Sequence, residues 1–315
     1  MSVATQHGAQ ARLLPDGKRL HLHHGPIDLI VEAWGDRQEI AKAYQQAQRA
    51  FSSVLTELVD ELPLLRTPAE QRRLEATGSV ARMMTDAVDA FVHPMISARF
   101  VTPMAAVAGA VAEHVLACAT EGRALSRAYV NNGGDIALFV ARGEFRIAIV
   151  DHRGRPGTVT VSAQDAVRGV ATSGWRGRSQ SLGIADAVTV LARSPAIADV
   201  AATLVGNAVD LPGSAKISRR SAEDIRSDSD LGARLVTIGV GELSDGERSS
   251  ALDRGEVAAQ EMLDAGVIEA VFLCLQGDAR TVGRRHDVPA PLNDYSVTAD
   301  VAGLQQMLPT EKRVQ

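Results

Sequence analysis

The stretch "ADVAATLVGNAVD", residues 198–210, decides how this chain folds. Ser194 and Pro195 precede it as an N-cap and a first-turn proline, so it opens as a helix. Asp199, Thr203 and Asn207 recur at intervals of four residues and share one face. No Lys, Arg or Glu occurs between 195 and 215. A helix without a charged solvent face is enclosed, so its polar stripe points into the protein or into a cleft. A buried Asp needs donors or a cation. Two readings stand side by side. In one, Asp199 caps a neighbouring segment. In the other, the one-turn spacing of carboxylate, hydroxyl and amide oxygens serves a hard cation such as Mg²⁺.

Outward from this helix, the pattern is mixed. "RLHLHH" (19–24) and "IDLIVEAW" (27–34) read as strands joined at Gly25-Pro26. Residues 36–62 read as a long helix through Ile40, Tyr44, Ala47, Phe51, Leu55 and Leu58, and 77–92 as a second. "TPMAAVAGAVAEHVLACATEG" (102–122) is a third, whose Ala and Gly side chains imply that something packs very near its backbone. From 126 the period becomes two, with turns at Asn132-Gly133-Gly134, Arg142-Gly143 and Arg153-Gly154. A strand at 185–192 leads into the opening helix, and a polar mobile loop is expected over 211–232. A strand (233–240), a helix (248–265) and a strand (268–275) follow. The expected fold class is α+β (mixed α/β), a meandering, mostly antiparallel sheet packed with helices. A flexible leader (1–17), a single domain (18–283) and an extended C-terminal tail (284–315) complete the expected organisation.

The chain has 315 residues, 45% hydrophobic and only 3% aromatic, so its core is built from Ala, Val, Leu and Ile. A net charge of −5 argues against a nucleic-acid binder, which needs surplus Lys and Arg. Cys118 and Cys274 sit in apolar runs and read as reduced thiols. The apolar run 103–112, interrupted by Glu113 and His114, reads as too short for a bilayer, which takes about 20 residues. No secretory h-region opens the chain, so a cytoplasmic protein is expected. No G-x-G-x-x-G follows a strand, and no phosphate-loop motif or Ser-His-Asp arrangement is present.

Three further constellations carry chemistry. "VNNGGD" (130–135) is either an ordinary hairpin turn or a place where bare amides approach a ligand. "ATSGWRGRSQSLGIAD" (171–186) combines hydroxyls, glycines, Arg176 and Arg178, a set able to hold an anion. Its Asp186 is a candidate second carboxylate near Asp199. "HLHH" (21–24) puts His21 and His23 on one strand face, either exposed on an edge or sharing a metal.

In order, "PMAAVAGAVAE" (103–113), "VNNGGDI" (130–136), "ATSG" (171–174) and "VTVLARSPAIADVAAT" (188–203) resemble the ApbE-like superfamily of FAD:protein FMN transferases. The likeness runs from about residue 20 to 280, closest to a cytosolic branch without an assigned function, marked by "GPIDL", "PMAAVAGA" and "SLGIADAVTVLA". The resemblance implies Mg²⁺ held by Asp199, Thr203 and a main-chain carbonyl near Val107. It implies flavin contacts from Glu113, Asn132, Gly133, Gly134, Asp135, Thr172, Ser173 and Gly174. Ala108 stands where the family has Lys, Glu113 where it has Asp, and "SQSLGIAD" where transferases carry H-I-x-D-P-x-T-G. The implied function is a Mg²⁺-dependent protein acting on a flavin or other phosphate-bearing ligand, with FMN transfer from FAD as the reaction. The alternatives are a non-catalytic flavin or nucleotide binder and a metabolic enzyme using the cleft for a small organic acid. The expected partners are a small-molecule ligand, a flavin being the candidate, and a further copy of the chain, with neither nucleic acid nor membrane.

Overall fold

A computed structural model describes residues 8–150 and 156–283. The strands are β1 (Gln10–Leu13), β2 (Leu20–His24), β3 (Ile27–Gly35), β4 (Leu125–Asn132), β5 (Asp135–Val140), β6 (Glu144–Val150), β7 (Pro156–Ser162), β8 (Gly169–Ser173), β9 (Ala187–Ala192), β10 (Ile217–Ser221), β11 (Leu235–Val240), β12 (Ala270–Leu275) and β13 (Asp278–Gly283). The helices are α1 (Arg37–Asp60), α2 (Leu62–Leu65), α3 (Ser79–Asp89), α4 (Val107–Thr120), α5 (Pro195–Ala208), α6 (Ala222–Ile225) and α7 (Asp245–Asp264). Nine strands form one sheet in the order β1-β2-β3-β4-β5-β8-β9-β12-β13. Every pairing in it is antiparallel. The expected α+β meander is the observed architecture.

The alternation of β3 explains how the layers form. Ile27, Leu29, Val31 and Ala33 are buried, and the residues between them are half-buried. The buried set faces α1, which contributes Ala47, Phe51 and Val54 to the same core. Along the sheet the helices follow in step: α1 covers β3, α4 covers β4 and β5, α5 covers β8 and β9, and α7 covers β12 and β13. The opposite face is covered by the β6–β7 hairpin, whose Phe145, Ile149, Val159 and Val161 pack on Leu138, Val170 and Leu191. Strand β9 is therefore buried along its whole length.

The small residues of α4 are explained by its neighbour. A Cβ on Gly109 would lie 2.3 Å from the carbonyl oxygen of Pro195 and 2.9 Å from Ala196 Cα. Helix α4 and the first turn of α5 thus meet backbone to backbone. Glu113 accepts hydrogen bonds from Ser194 Oγ (2.6 Å) and the Ala196 amide (3.3 Å), placing a carboxylate at the positive end of α5.

Several expectations are corrected. Residues 10–13, expected in the leader, form β1 against β2. The Pro15-Asp16-Gly17 turn makes this possible: Asp16 Oδ1 accepts from the Lys18 and Arg19 amides, and Gly17 takes a left-handed φ of 66°. The loop expected over 211–232 contains β10, paired with β11, and α6. The two-residue turn Gln276-Gly277 reverses the chain into β13, an edge strand beyond the strand expected at 268–275. The apolar run read as ending at 112 continues through Glu113 and His114 inside α4, as the expected third helix does. Glu113 is occupied at α5, and His114 lies between Ser79 (3.4 Å) and Cys118 (4.0 Å). The helical segment Pro103–Thr120 is consequently 18 residues long with a mean hydropathy of 1.3, long and apolar enough to cross a membrane by length and composition alone. Here it is the core helix between α1, α5 and the sheet. Neither cysteine forms a disulfide. The expected turn at Arg153-Gly154 and the tail 284–315 lie outside the described residues.

Gly109→Ala must push α4 off α5, because the obstructing atoms are backbone. Chemical unfolding is expected to show a loss of about 1–3 kcal/mol, the usual cost of overpacking. An unchanged midpoint would refute the close approach.

Candidate functional site

Helix α5 starts where the sequence says it should. Ser194 Oγ accepts from the Ile197 amide at 3.4 Å, and Pro195 fills the first turn. Its apolar residues Val200, Ala201, Leu204 and Val205 are buried in the main core. Asp199, Thr203 and Asn207 face a cavity of about 370 Å³. The start of α4 contributes Val107 and Ala108, the head of β5 contributes Asp135, and the end of β8 contributes Thr172, Ser173 and Gly174. Arg178 and Gln180 form one wall. Arg66 and the segment 226–231 form the rim.

Two carboxylates meet in this cavity. Asp199 Oδ2 accepts from the Gly109 amide at 2.9 Å, so α4 itself orients it. Asp135 Oδ1 accepts from the Thr172 amide at 3.2 Å. Desolvation pushes both upward; for Asp199 the charge of Asp135 adds to the effect. Asp135 is pushed up to about 7, with the Thr172 amide and the Arg178 guanidinium pulling in the opposite direction. The Arg178 guanidinium lies directly on Gly133, where a Cβ would be 1.8 Å from Nη2. The Gly133-Gly134 turn thus has a steric reason beyond its left-handed φ values of 67° and 118°. An enclosed carboxylate raised by burial and by the charge of a second one favours a proton or a bound cation.

Seven of the residues singled out by resemblance converge here: Val107, Asp135, Thr172, Ser173, Gly174, Asp199 and Thr203. The rest are elsewhere. Glu113 caps α5 and does not line the cavity. Asn132 is buried, donating from Nδ2 to the Ala108 carbonyl (3.1 Å), and so ties the β4–β5 turn to α4. Gly134 donates its amide to Asn131 Oδ1 (2.8 Å), and Gly133 and Gly134 shape the turn without lining the cavity. Asn207 Oδ1 accepts from the Leu182 amide (2.9 Å) and fastens the loop before β9.

Asp186 lines the cavity, but its carboxylate accepts from Arg176 Nε (2.7 Å), Trp175 Nε1 (3.2 Å) and the Gln276 amide. It braces the 174–186 loop, and Asp135 takes the place of second carboxylate beside Asp199. His21 and His23 pair with Asp28 on the β2–β3 hairpin and do not line the cavity. Among the described residues no group of three or more His, Cys, Asp or Glu side chains gathers to hold a metal. A cation in this cavity would instead take Asp199 with the Thr203 hydroxyl and the Val107 carbonyl. This is an all-oxygen set, suited to a hard divalent ion.

Arg66 and the 226–231 rim went unread in the sequence. The rim has no apolar period, and only the run of Asp228, Ser229 and Asp230 hints at a polar surface.

The sign of the pH effect follows from these shifts. A carboxyl raised in the fold keeps a proton that the unfolded chain has lost, so stability falls as pH rises from the ordinary carboxylate range through about 7. Asp199→Asn is therefore expected to raise the metal-free melting temperature at about pH 8 by roughly 2–4 °C per kcal/mol relieved. The gain should shrink towards about pH 4. Millimolar Mg²⁺ should raise the wild-type melting temperature but not that of the variant. Equal responses of the two proteins to Mg²⁺ would remove Asp199 from the cation site.

The chain is similar to several known proteins. A family model described as "AbpE bacteria" matches residues 11–281. A UPF0280 protein of Methanopyrus kandleri is 33% identical over 182 residues, covering 57% of this chain and 69% of that protein. A UPF0280 protein of Methanothrix thermoacetophila is 40% identical over 121 residues, 37% of this chain and 49% of its own length, so the match spans about half of that relative. Among solved structures, the flavin transferase ApbE from Vibrio cholerae aligns with 88% of this chain and 98% of its own, at 14% identity and a TM-score of 0.43. The Pseudomonas stutzeri flavinyl transferase ApbE gives 13% identity, 89% and 96% coverage and a TM-score of 0.40. Residue roles do not transfer at that distance. The family match covers most of the chain, and the chain belongs to the AbpE bacteria family.

Proposed function

We propose that this member of the AbpE bacteria family is a Mg²⁺-dependent protein that takes a flavin or another phosphate-bearing ligand into the cavity over α5, and that it transfers FMN from FAD to a protein hydroxyl. One observation carries the proposal. Asp135 and Asp199 face a single cavity beside the Thr203 hydroxyl and the Val107 backbone, with Arg178 on the same wall. A carboxylate pair and an arginine together suit a cation-bridged phosphate.

Asp199, Thr203 and the Val107 carbonyl would hold the ion. When bound there, Mg²⁺ would supply Lewis-acid stabilisation of phosphate charge. Arg178 orients a phosphate oxygen from the wall, and Ser173 and Gly174 line the floor. Transfer forms a bond from the FMN phosphorus to the acceptor oxygen and breaks the bond to AMP. Asp135, raised by burial, is the carboxylate available to receive the hydroxyl proton. A second reading, a flavin or nucleotide carrier without turnover, is favoured by Ala108 where transferases have Lys and by "SQSLGIAD" in place of their His-containing segment.

Incubation with FAD, Mg²⁺ and a Ser/Thr-bearing acceptor should release AMP and leave covalent flavin on the acceptor. Asp199→Ala should slow this by about 100-fold or more, the scale on which a key electrostatic contact acts. Mg²⁺-dependent FAD binding without AMP release would instead support the carrier. Asp199→Ala binding FAD as well as wild type does, with the same Mg²⁺ dependence, would overturn both readings.

A further inference from the structure

The rim of the cavity is held by side chains that no part of the proposed chemistry uses. The segment 226–231 crosses the mouth between α6 and β11 and is fastened from three separate directions. Arg66, just after α2, reaches Asp228 (Nη2 to Oδ2, 2.9 Å). Thr102, before α4, donates its hydroxyl to Asp230. Ser229 Oγ donates to Gln180 Oε1 at 2.6 Å, and Gln180 Nε2 donates to the Ala222 carbonyl at 3.0 Å. The strap itself has little apolar anchorage: residues 226–228 are exposed, and 229–231 are half-buried. Its attachments are polar and replaceable, the mark of a low-stability segment.

The Arg66–Asp228 pair differs from the other ties because its cavity-lining partner, Arg66, carries a positive charge, whereas Thr102 and Gln180 are neutral. Both side chains are partly open to solvent, at 33% and 61% exposure. An ion pair of that kind contributes about 0–1 kcal/mol. A phosphate offers the same guanidinium two charge-assisted hydrogen bonds and more negative charge. The exchange of Asp228 for a phosphate on Arg66 is therefore favourable. It removes one of the strap's three ties.

We propose that Arg66 is an outer anion-binding residue of this cavity, held by Asp228 until a phosphate or diphosphate group of the ligand displaces that carboxylate and loosens the 226–231 strap. This rests on the reading of the cavity as a phosphate site. It adds a ligand-triggered latch and implies that the ligand carries negative charge at the mouth as well as at the base. Arg66 would discriminate diphosphate-containing ligands from those with a single inner phosphate.

Pyrophosphate with Mg²⁺ is a suitable probe, followed by hydrogen exchange on the full chain. In wild type, pyrophosphate should speed exchange of amides 226–231 several-fold while α5 stays protected. Arg66→Gln should abolish that response and weaken pyrophosphate binding by about tenfold, the usual scale of a charge-assisted contact. Asp228→Asn should expose the strap without ligand and tighten pyrophosphate binding up to about fivefold. In the Arg66→Gln background it should have no effect on affinity. Strap exchange that ignores pyrophosphate in wild type, or an Asp228→Asn effect that survives without Arg66, would overturn the latch. The phosphate-site reading is checked separately, through loss of Mg²⁺-dependent FAD binding in Asp199→Asn. Unchanged protection of α5 in each variant shows that the fold is retained.

Discussion

The candidate cavity depends on the contact between α4 and α5. The first turn of α5 sits so close to Gly109 that no side chain fits between them. That approach brings the Gly109 amide to Asp199 and the Glu113 carboxylate to the amides at the start of α5. The same geometry aims Asp199 and Thr203 past the end of α4, into the space beside Val107. A larger residue at 109 would separate the helices, and the carboxylate would lose the donor that fixes its direction. The run of Ala and Gly in α4 is therefore a condition of the cavity.

The sheet supplies the other half. Because β4 and β5 turn tightly at Gly133-Gly134, Asp135 emerges at the level of the β8 end and receives the Thr172 amide. Asn132 fastens that turn to the Ala108 carbonyl. Two carboxylates from distant parts of the chain are thus held in one desolvated space, where burial raises both and the charge of Asp135 further disfavours ionisation of Asp199. Such an arrangement is unfavourable for the fold while both carboxylates are ionised. Arg178 and Arg66 add positive charge to the lining of the cavity.

Much of the fold was legible because it rests on local rules. The period-two runs from 126 onward became β4 to β8, and the Ser194-Pro195 signal marked the start of α5 to the residue. The misses have physical causes. β1, β10 and β13 are short, exposed or edge strands that bury little, so they leave no hydrophobic period. Glu113 looked like a ligand contact by position in a motif, yet a helix N-terminus nearby offered its carboxylate a better partner. Asp186 lay next to the right strand, but Arg176, Trp175 and Gln276 satisfy it.

The sequence by itself determined the helical stripe of Asp199, Thr203 and Asn207, its enclosure, and the antiparallel meander around it. Periodicity and the absence of Lys, Arg and Glu are properties of neighbouring residues, and they can be read without a structure. Only the tertiary structure decided that Asp135 is the carboxylate beside Asp199 and that Arg66 pairs with Asp228. Those pairings join residues separated by 64 and 162 positions. Nothing local in a chain records which distant group will lie opposite. That is set by how closely two helix backbones can approach and where the sheet then places its turns.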